Sequence, residues 1–155
     1  MRSFRTAVPS RSHRRRASRP NPPLNSPASG KQPAPLERGF AWEQRTARYL
    51  QRQGLEVLIQ RYRCRLGELD IVCLDGSTLV IVEVRARAYS GFARAGESVD
   101  VRKQRRIVRA TRHLLMTHPQ WSGYRLRFDV FCIDNIDRDS PAIHWIRNAF
   151  DGGGA

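Results

Sequence analysis

Apolar positions along this chain recur with two different periods, and the change of period marks out the elements. In residues 37–54, ERGFAWEQRTARYLQRQG, Phe40, Ala47 and Leu50 fall near one helical stripe, and Gly54 is a natural stop. Residues 55–64 and 67–75 then read as strands, LEVLIQRYRC and GELDIVCLD. Asp75-Gly76 is a hairpin signal leading into a third strand, TLVIVEVRAR, at 78–87. A loop containing Gly91 and Gly96 precedes a predicted helix over 97–118, with Val99, Ile107, Ala110 and Leu114 on its inner stripe and Pro119 ending it. In YRLRFDVFCID, 124–134, Leu126, Phe128, Val130 and Cys132 share one face of a strand, and 141–150 is a last, partly exposed strand. The order α-β-β-β-α-β-β predicts an α/β domain, a mixed sheet flanked by helices. No internal repeat is visible.

Charge divides the chain. Lys and Arg number 28 against 14 Asp and Glu, a formal net charge of +14. The first 36 residues hold 8 of those bases, no acid and seven prolines, so too little apolar surface is available to order them. Residues 1–36 are therefore expected to be a disordered basic tail. Its HRRRASR cluster, 13–19, is either a phosphate-contacting arm or simply solvated. The expected domain covers 37–150, followed by a Gly-rich end at 151–155. Its own excess of base favours a polyanion as partner. No apolar run reaches transmembrane length, no apolar segment follows the N-terminal bases as a secretory signal needs, and neither helix pairs a broad apolar face with a basic one. A membrane is not expected as a partner. Cys64, Cys73 and Cys132 lack CxxC spacing and lie in strand-like stretches, which predicts reduced, buried thiols and a cytoplasmic location. The four histidines have no metal-ligand spacing.

The third strand poses a chemical question. Strand side chains alternate, so Leu79, Ile81, Glu83, Arg85 and Arg87 share one face while Val80, Val82 and Val84 share the other. A carboxylate at the rim of a core costs several kcal/mol or so unless it is paired or bound to a metal. A hairpin centred near Gly76 brings Asp70 of the preceding strand within about a residue of Glu83. Two converging carboxylates suit a hard divalent cation such as Mg²⁺, which takes oxygen ligands and substrate phosphate. Such an ion activates water and neutralises charge on a phosphodiester. The plainer alternative for Glu83 with Arg85 is a cross-strand salt bridge on a solvated sheet edge. Glu68 has Arg63 or Arg65 to pair with, and Asp129 has Arg127 or Arg87. The run RKQRRIVRATR, 102–112, is either a solvated helix face or a phosphate track that includes Lys103, Arg105 and Arg106. Core packing suits Trp42, Tyr49, Tyr62 and Trp145 better than base stacking, whereas Phe92 in the glycine loop is a candidate for nucleic-acid contact.

An Asp, a hairpin, then Glu-x-basic on the next strand resembles the PD-(D/E)XK nuclease superfamily. The likeness extends to the YraN-like family of bacterial proteins, relatives of Holliday-junction resolvases. It covers roughly residues 38–150 through RGFAWE, GELDIV, VEVRAR, VRKQRRI, RFDV and the closing NAF. The resemblance implies a restriction-endonuclease-like core and Mg²⁺ or Mn²⁺ held by Asp70 and Glu83. It further implies support for the metal from Glu43 on the first helix, with the Val84 carbonyl as a further ligand. Glu68 is the family's GE glutamate, and Lys103 matches its basic position on the following helix. Arg85 stands where the superfamily usually has Lys. An arginine stays charged and cannot serve as general base, but its planar fork can hold a scissile phosphate. Expected nucleic-acid contacts are Arg85, Arg87, Lys103, Arg105 and Arg106. The function this points to is a metal-dependent endonuclease on branched or single-stranded DNA, with a homodimer implied by the resolvase likeness. The competing readings are a non-catalytic DNA- or RNA-binding module on the same fold and an RNA- or ribosome-associated protein that binds through its basic tail.

Overall fold

A computed structural model of the chain describes residues 35–88 and 99–154. Residues 1–34 of the expected basic tail, the glycine loop and Phe92 lie outside the described residues, and Pro35 and Leu36 belong to the first helix. The elements are α1 (Pro35–Arg52), β1 (Glu56–Cys64), β2 (Gly67–Asp75), β3 (Thr78–Arg87), α2 (Val101–Thr117), β4 (Arg125–Asp134) and β5 (Ala142–Phe150). Short 3₁₀ turns follow α2 and β5. This is the expected α-β-β-β-α-β-β order. The strands form one sheet in sequence order, antiparallel except for the parallel β3–β4 pair. That pair is the one joined through α2, as a parallel connection requires.

The two helices cover opposite faces. Trp42, Ala47, Tyr49 and Leu50 of α1 pack on Ile71, Cys73, Val80, Val82, Phe131 and Ile133. Ile107, Val108, Ala110 and Leu114 of α2 pack on Leu69, Val72, Leu79, Ile81, Phe128 and Val130. The alternation of TLVIV thus sends odd-numbered side chains to α2 and even-numbered ones to α1. Such a central strand, covered on both sides, reads as an unbroken apolar run.

Several expectations need correction. Phe40 is not on the buried stripe of α1: it is 39 % exposed, and Trp42, Thr46 and Tyr49 fill the inner face instead. The second helix begins at Val101 rather than 97, because Asp100 caps it by accepting a hydrogen bond from the Lys103 N–H at 2.9 Å. Leu126 is exposed although it shares the α2 side of the sheet, because it lines an open cavity with Val108, Thr111 and Arg112 rather than packing beneath the helix. The cysteines are free thiols, but only Cys73 is fully buried, while Cys64 and Cys132 are half-buried. Burial pushes the Cys73 thiol up to about 12. The α1 stop is as expected. Gly54, at φ +92, lets its N–H reach the Gln51 carbonyl while Leu55 N–H reaches Leu50, closing the helix end.

Asp129 is buried and structural. It accepts from Arg127 Nε (2.9 Å) and Nη2 (3.1 Å), Trp145 Nε1 (3.1 Å) and the Asn148 N–H (2.9 Å). Arg127 also reaches Asp75 at 2.9 Å, so Arg127, and not Arg87, is the partner. The ladder between β4 and β5 shifts register beside this carboxylate, and Asn148 sits at φ +51. Asp129 thus supplies the acceptor that the irregular backbone lacks.

Candidate functional site

The β2–β3 ladder is regular from Asp75↔Thr78 to Ile71↔Val82. One more step would set Asp70 against Glu83, and there the pattern changes. The Val84 N–H turns to the Asp70 carboxylate, donating to Oδ2 at 2.8 Å. Leu69 and Val72 both pack on the α2 side although three residues apart, so strict alternation breaks at Asp70. On β1 the residue opposite Asp70, between Gln60↔Ile71 and Tyr62↔Leu69, is Arg61, and its φ is +57. This paired irregularity aims the Asp70 side chain toward Glu83 rather than into either apolar layer.

Glu83 is 8 % exposed, on a central strand and facing α2. It does not form a solvated-edge salt bridge with Arg85. Its ion-pair partner is Lys103, with Nζ 3.1 Å from Oε1. The Asp100 cap places Lys103 in the first turn of α2 and so brings it over β3. Burial raises the Glu83 carboxyl, and the Asp70 charge raises it further, to about 7 against the pull of Lys103 and Arg85. Burial also raises Asp70, against its bond from Val84 and the Lys103 charge; the two carboxyls are within hydrogen-bonding reach of each other. Two facing carboxylates in a poorly solvated place repel, and one lysine offsets this only in part.

On the α1 side, Glu43 Oε2 lies 3.4 Å from Arg61 Nε. Burial raises this carboxyl and the Asp70 charge adds to the effect, while Arg61 lowers it. A polar seam therefore crosses the sheet: Glu43 with Arg61 on one side, Asp70 in the middle, Glu83 with Lys103 on the other. Among the described residues, no three His, Cys, Asp or Glu side chains are already gathered as a metal-ligand group. Asp70 and Glu83 are together, and Glu43 stands apart on Arg61.

The other expected site residues fall around this seam. Arg85 and Arg87 are half-buried on β3 and align with Cys132 and Asp134 of β4. Arg85 is near enough to Glu83 to act on its charge. Arg105 and Arg106 are exposed on α2. Glu68 pairs with Arg63 at 3.6 Å, both largely exposed, a contact of small energetic weight. Trp42 and Tyr49 are core residues, Tyr62 bonds His113 Nδ1 at 2.6 Å, and Trp145 serves Asp129. Sequence reasoning missed Arg61. In QRYR it looks like ordinary strand-surface charge, and only the irregular pairing opposite Asp70 sets it apart.

Fold and site together define an α/β protein with an acidic seam through a mixed sheet, an order compatible with the expected nuclease-like core. The profile of the uncharacterised protein family UPF0102 matches residues 42–133, which include Glu43, Asp70, Glu83 and Lys103. A UPF0102 protein of Pseudomonas putida (strain GB-1) is 42 % identical over 118 residues, 76 % of this chain and 96 % of the relative. Another, from Pseudomonas savastanoi pv. phaseolicola, is 46 % identical over 103 residues, 66 % of this chain and 84 % of its own. A third, from Pseudomonas aeruginosa (strain LESB58), is 41 % identical over 116 residues, 74 % and 93 % of the two chains. The chain belongs to the UPF0102, YraN-like family.

Proposed function

We propose that this protein binds nucleic acid and is a divalent-metal-dependent endonuclease acting on branched or single-stranded DNA. One observation carries the reading: Asp70 and Glu83 face each other at the end of the β2–β3 ladder, Glu83 buried and Asp70 half-buried, with too little positive charge to satisfy them. Their oxygens fit a hard cation that takes one or two carboxylates and completes its shell with water and phosphate. Asp70 and Glu83 would hold Mg²⁺ or Mn²⁺, with the Val84 carbonyl as a further donor. Such an ion supplies Lewis-acid stabilisation of a phosphoryl oxygen and eases the ionisation of water.

The chain's own residues do the rest. Val84 N–H holds one Asp70 oxygen in place. Lys103, paired with Glu83, favours the charged form of that carboxylate and stands ready for a phosphate oxygen. Arg85 lies beside the pair and presents a permanent charge and a planar donor edge, so its part is to hold the phosphate rather than to move a proton. Arg87, Arg105 and Arg106 extend the positive surface that draws in the strand.

A second reading is favoured by Arg85 itself. With arginine where the superfamily's usual lysine stands, the fold would bind DNA or RNA without turnover. One experiment separates the two. Labelled four-way junction, flap, duplex and single-stranded DNA are incubated with Mn²⁺ or with EDTA, using wild type, Asp70→Ala and Arg85→Lys. Mn²⁺-dependent cutting by wild type, reduced about 100-fold or more in Asp70→Ala, is the expected result. Unchanged cutting in Asp70→Ala overturns the site. Binding without cutting, with cleavage gained in Arg85→Lys, establishes the second reading.

A further inference from the structure

We propose that Arg61, presented on the ring of Phe40, is a binding site for a backbone phosphate of a nucleic-acid strand, and that filling it releases Glu43 toward Asp70 and Glu83. This deepens the nucleic-acid reading above and rests on it. It adds a phosphate site on the α1 side of the seam and a link between the strand and the metal.

Four observations converge on Arg61. Its backbone is left-handed inside a strand, which costs a residue with a side chain roughly 1–2 kcal/mol. Such conformations persist where their surroundings over-determine them, and they cluster at ligand sites. Its guanidinium carbon lies 5.0 Å from the centroid of Phe40, the residue expected in the core but displaced to the surface. A guanidinium backed by an aromatic ring keeps its donor edge free for a planar or tetrahedral oxyanion. The Arg61 side chain is 39 % exposed, so a strand can reach it. Finally, Glu43 Oε2 is buried and accepts no hydrogen bond, although Arg61 Nε is 3.4 Å away.

That last pairing is an ion pair of poor geometry. A phosphate meets an arginine fork through two short, parallel, charge-assisted hydrogen bonds, which are stronger than the contact they would displace. Once Arg61 turns to phosphate, Glu43 has lost its nearest counter-charge, keeping only the weaker pull of Arg63, and has Asp70 as its strongest charged neighbour. A divalent cation between them converts that repulsion into attraction. The Arg61–Glu43 pair thus accounts for the incomplete ligand group. The third carboxylate is held aside until a strand arrives. By linkage, phosphate and cation each tighten the other's binding by the same factor.

The test is Mn²⁺ binding by calorimetry to wild type, Arg61→Gln, Glu43→Gln and the double variant. Each is titrated alone and with a short phosphorothioate single strand that resists cutting. Wild type should bind Mn²⁺ at least about fivefold tighter with DNA. Arg61→Gln should bind Mn²⁺ alone about fivefold tighter than wild type does, with most of the DNA effect gone. Removing any nearby positive charge also favours a cation, so the Glu43→Gln background decides. The Arg61→Gln gain should vanish there. A gain that persists makes Arg61 a neighbouring charge only and overturns the latch. DNA affinity and salt dependence in Arg61→Gln equal to wild type overturn the phosphate site. If Arg61→Gln does not fold, Phe40→Leu takes its place, and unweakened DNA binding in that variant overturns the Arg61 site. Wild type that binds neither DNA nor Mn²⁺ fails the parent reading as well, whereas binding of both without coupling fails this inference alone.

Discussion

Asp70 and Glu83 are costly residues to fold around. Both carboxyls are raised, first by burial, so the folded chain holds their protons more tightly than the unfolded chain does. Stability from this source is fully present below the ordinary carboxylate range and is lost as pH rises through the folded value, which for Glu83 is about 7. Without divalent metal, thermal denaturation should therefore show stability from this pair falling between about pH 4.5 and 7, and Mn²⁺ should restore it at pH 8. Asp70→Asn keeps an acceptor for the Val84 N–H while removing one of the facing charges. We expect it to stabilise the metal-free protein by on the order of 1 kcal/mol at pH 8, while abolishing metal binding. A lower melting temperature for Asp70→Asn would mean that the pair is structural and well compensated.

The elements set these side chains through their ends and their irregularities more than through their regular parts. Asp100 decides where α2 begins and hence that Lys103 reaches Glu83. Gly67, at φ +153, lets the β1–β2 hairpin meet α2: a Cβ there would lie 3.1 Å from the Arg106 carbonyl oxygen. On the far side of the sheet, Asp129 joins the β4–β5 irregularity to Arg127 and Trp145. Removing it leaves a largely buried arginine with Asp75 as its remaining carboxylate, and the Trp145 and Asn148 N–H groups without their acceptor. Asp129→Ala should cost about 3–5 kcal/mol in urea unfolding, the range for breaking a buried ion pair. Asp129→Asn should lie between. A loss below about 1 kcal/mol would show that water replaces the carboxylate freely.

Taken as one body, the described part of the protein presents a row of arginines beside the acidic seam, with Arg102, Arg105, Arg106 and Arg109 all exposed along α2. If these residues neutralise DNA phosphates, log affinity should fall linearly with log salt, and Arg105→Ala/Arg106→Ala should lower the slope by about 2. An unchanged slope would place the strand elsewhere. Residues 37–155 should retain most of the affinity in the same assay. Its loss on deleting residues 1–36 would favour the tail as the binding element.

Much of this architecture was legible before any coordinates. The switch from helical to strand period located every element within a few residues, and Asp75-Gly76 set the hairpin register that brings Asp70 beside Glu83. Those signals are local: a strand alternates and a turn counts residues wherever the chain runs. What escaped was decided by contacts between distant segments. Phe40 reads as core until Arg61 claims its ring, and Arg61 reads as surface until β1 and β2 kink together opposite Asp70. Glu83 reads as a partner of Asp70 through the hairpin, but that the packed helix would bring Lys103 to it is not written in the strand. Periodicity tells which side of an element a residue occupies. Only the assembled layers determine which charge meets it there, because burial sets the cost of leaving it unpaired and packing sets which partner is near enough to offset that cost.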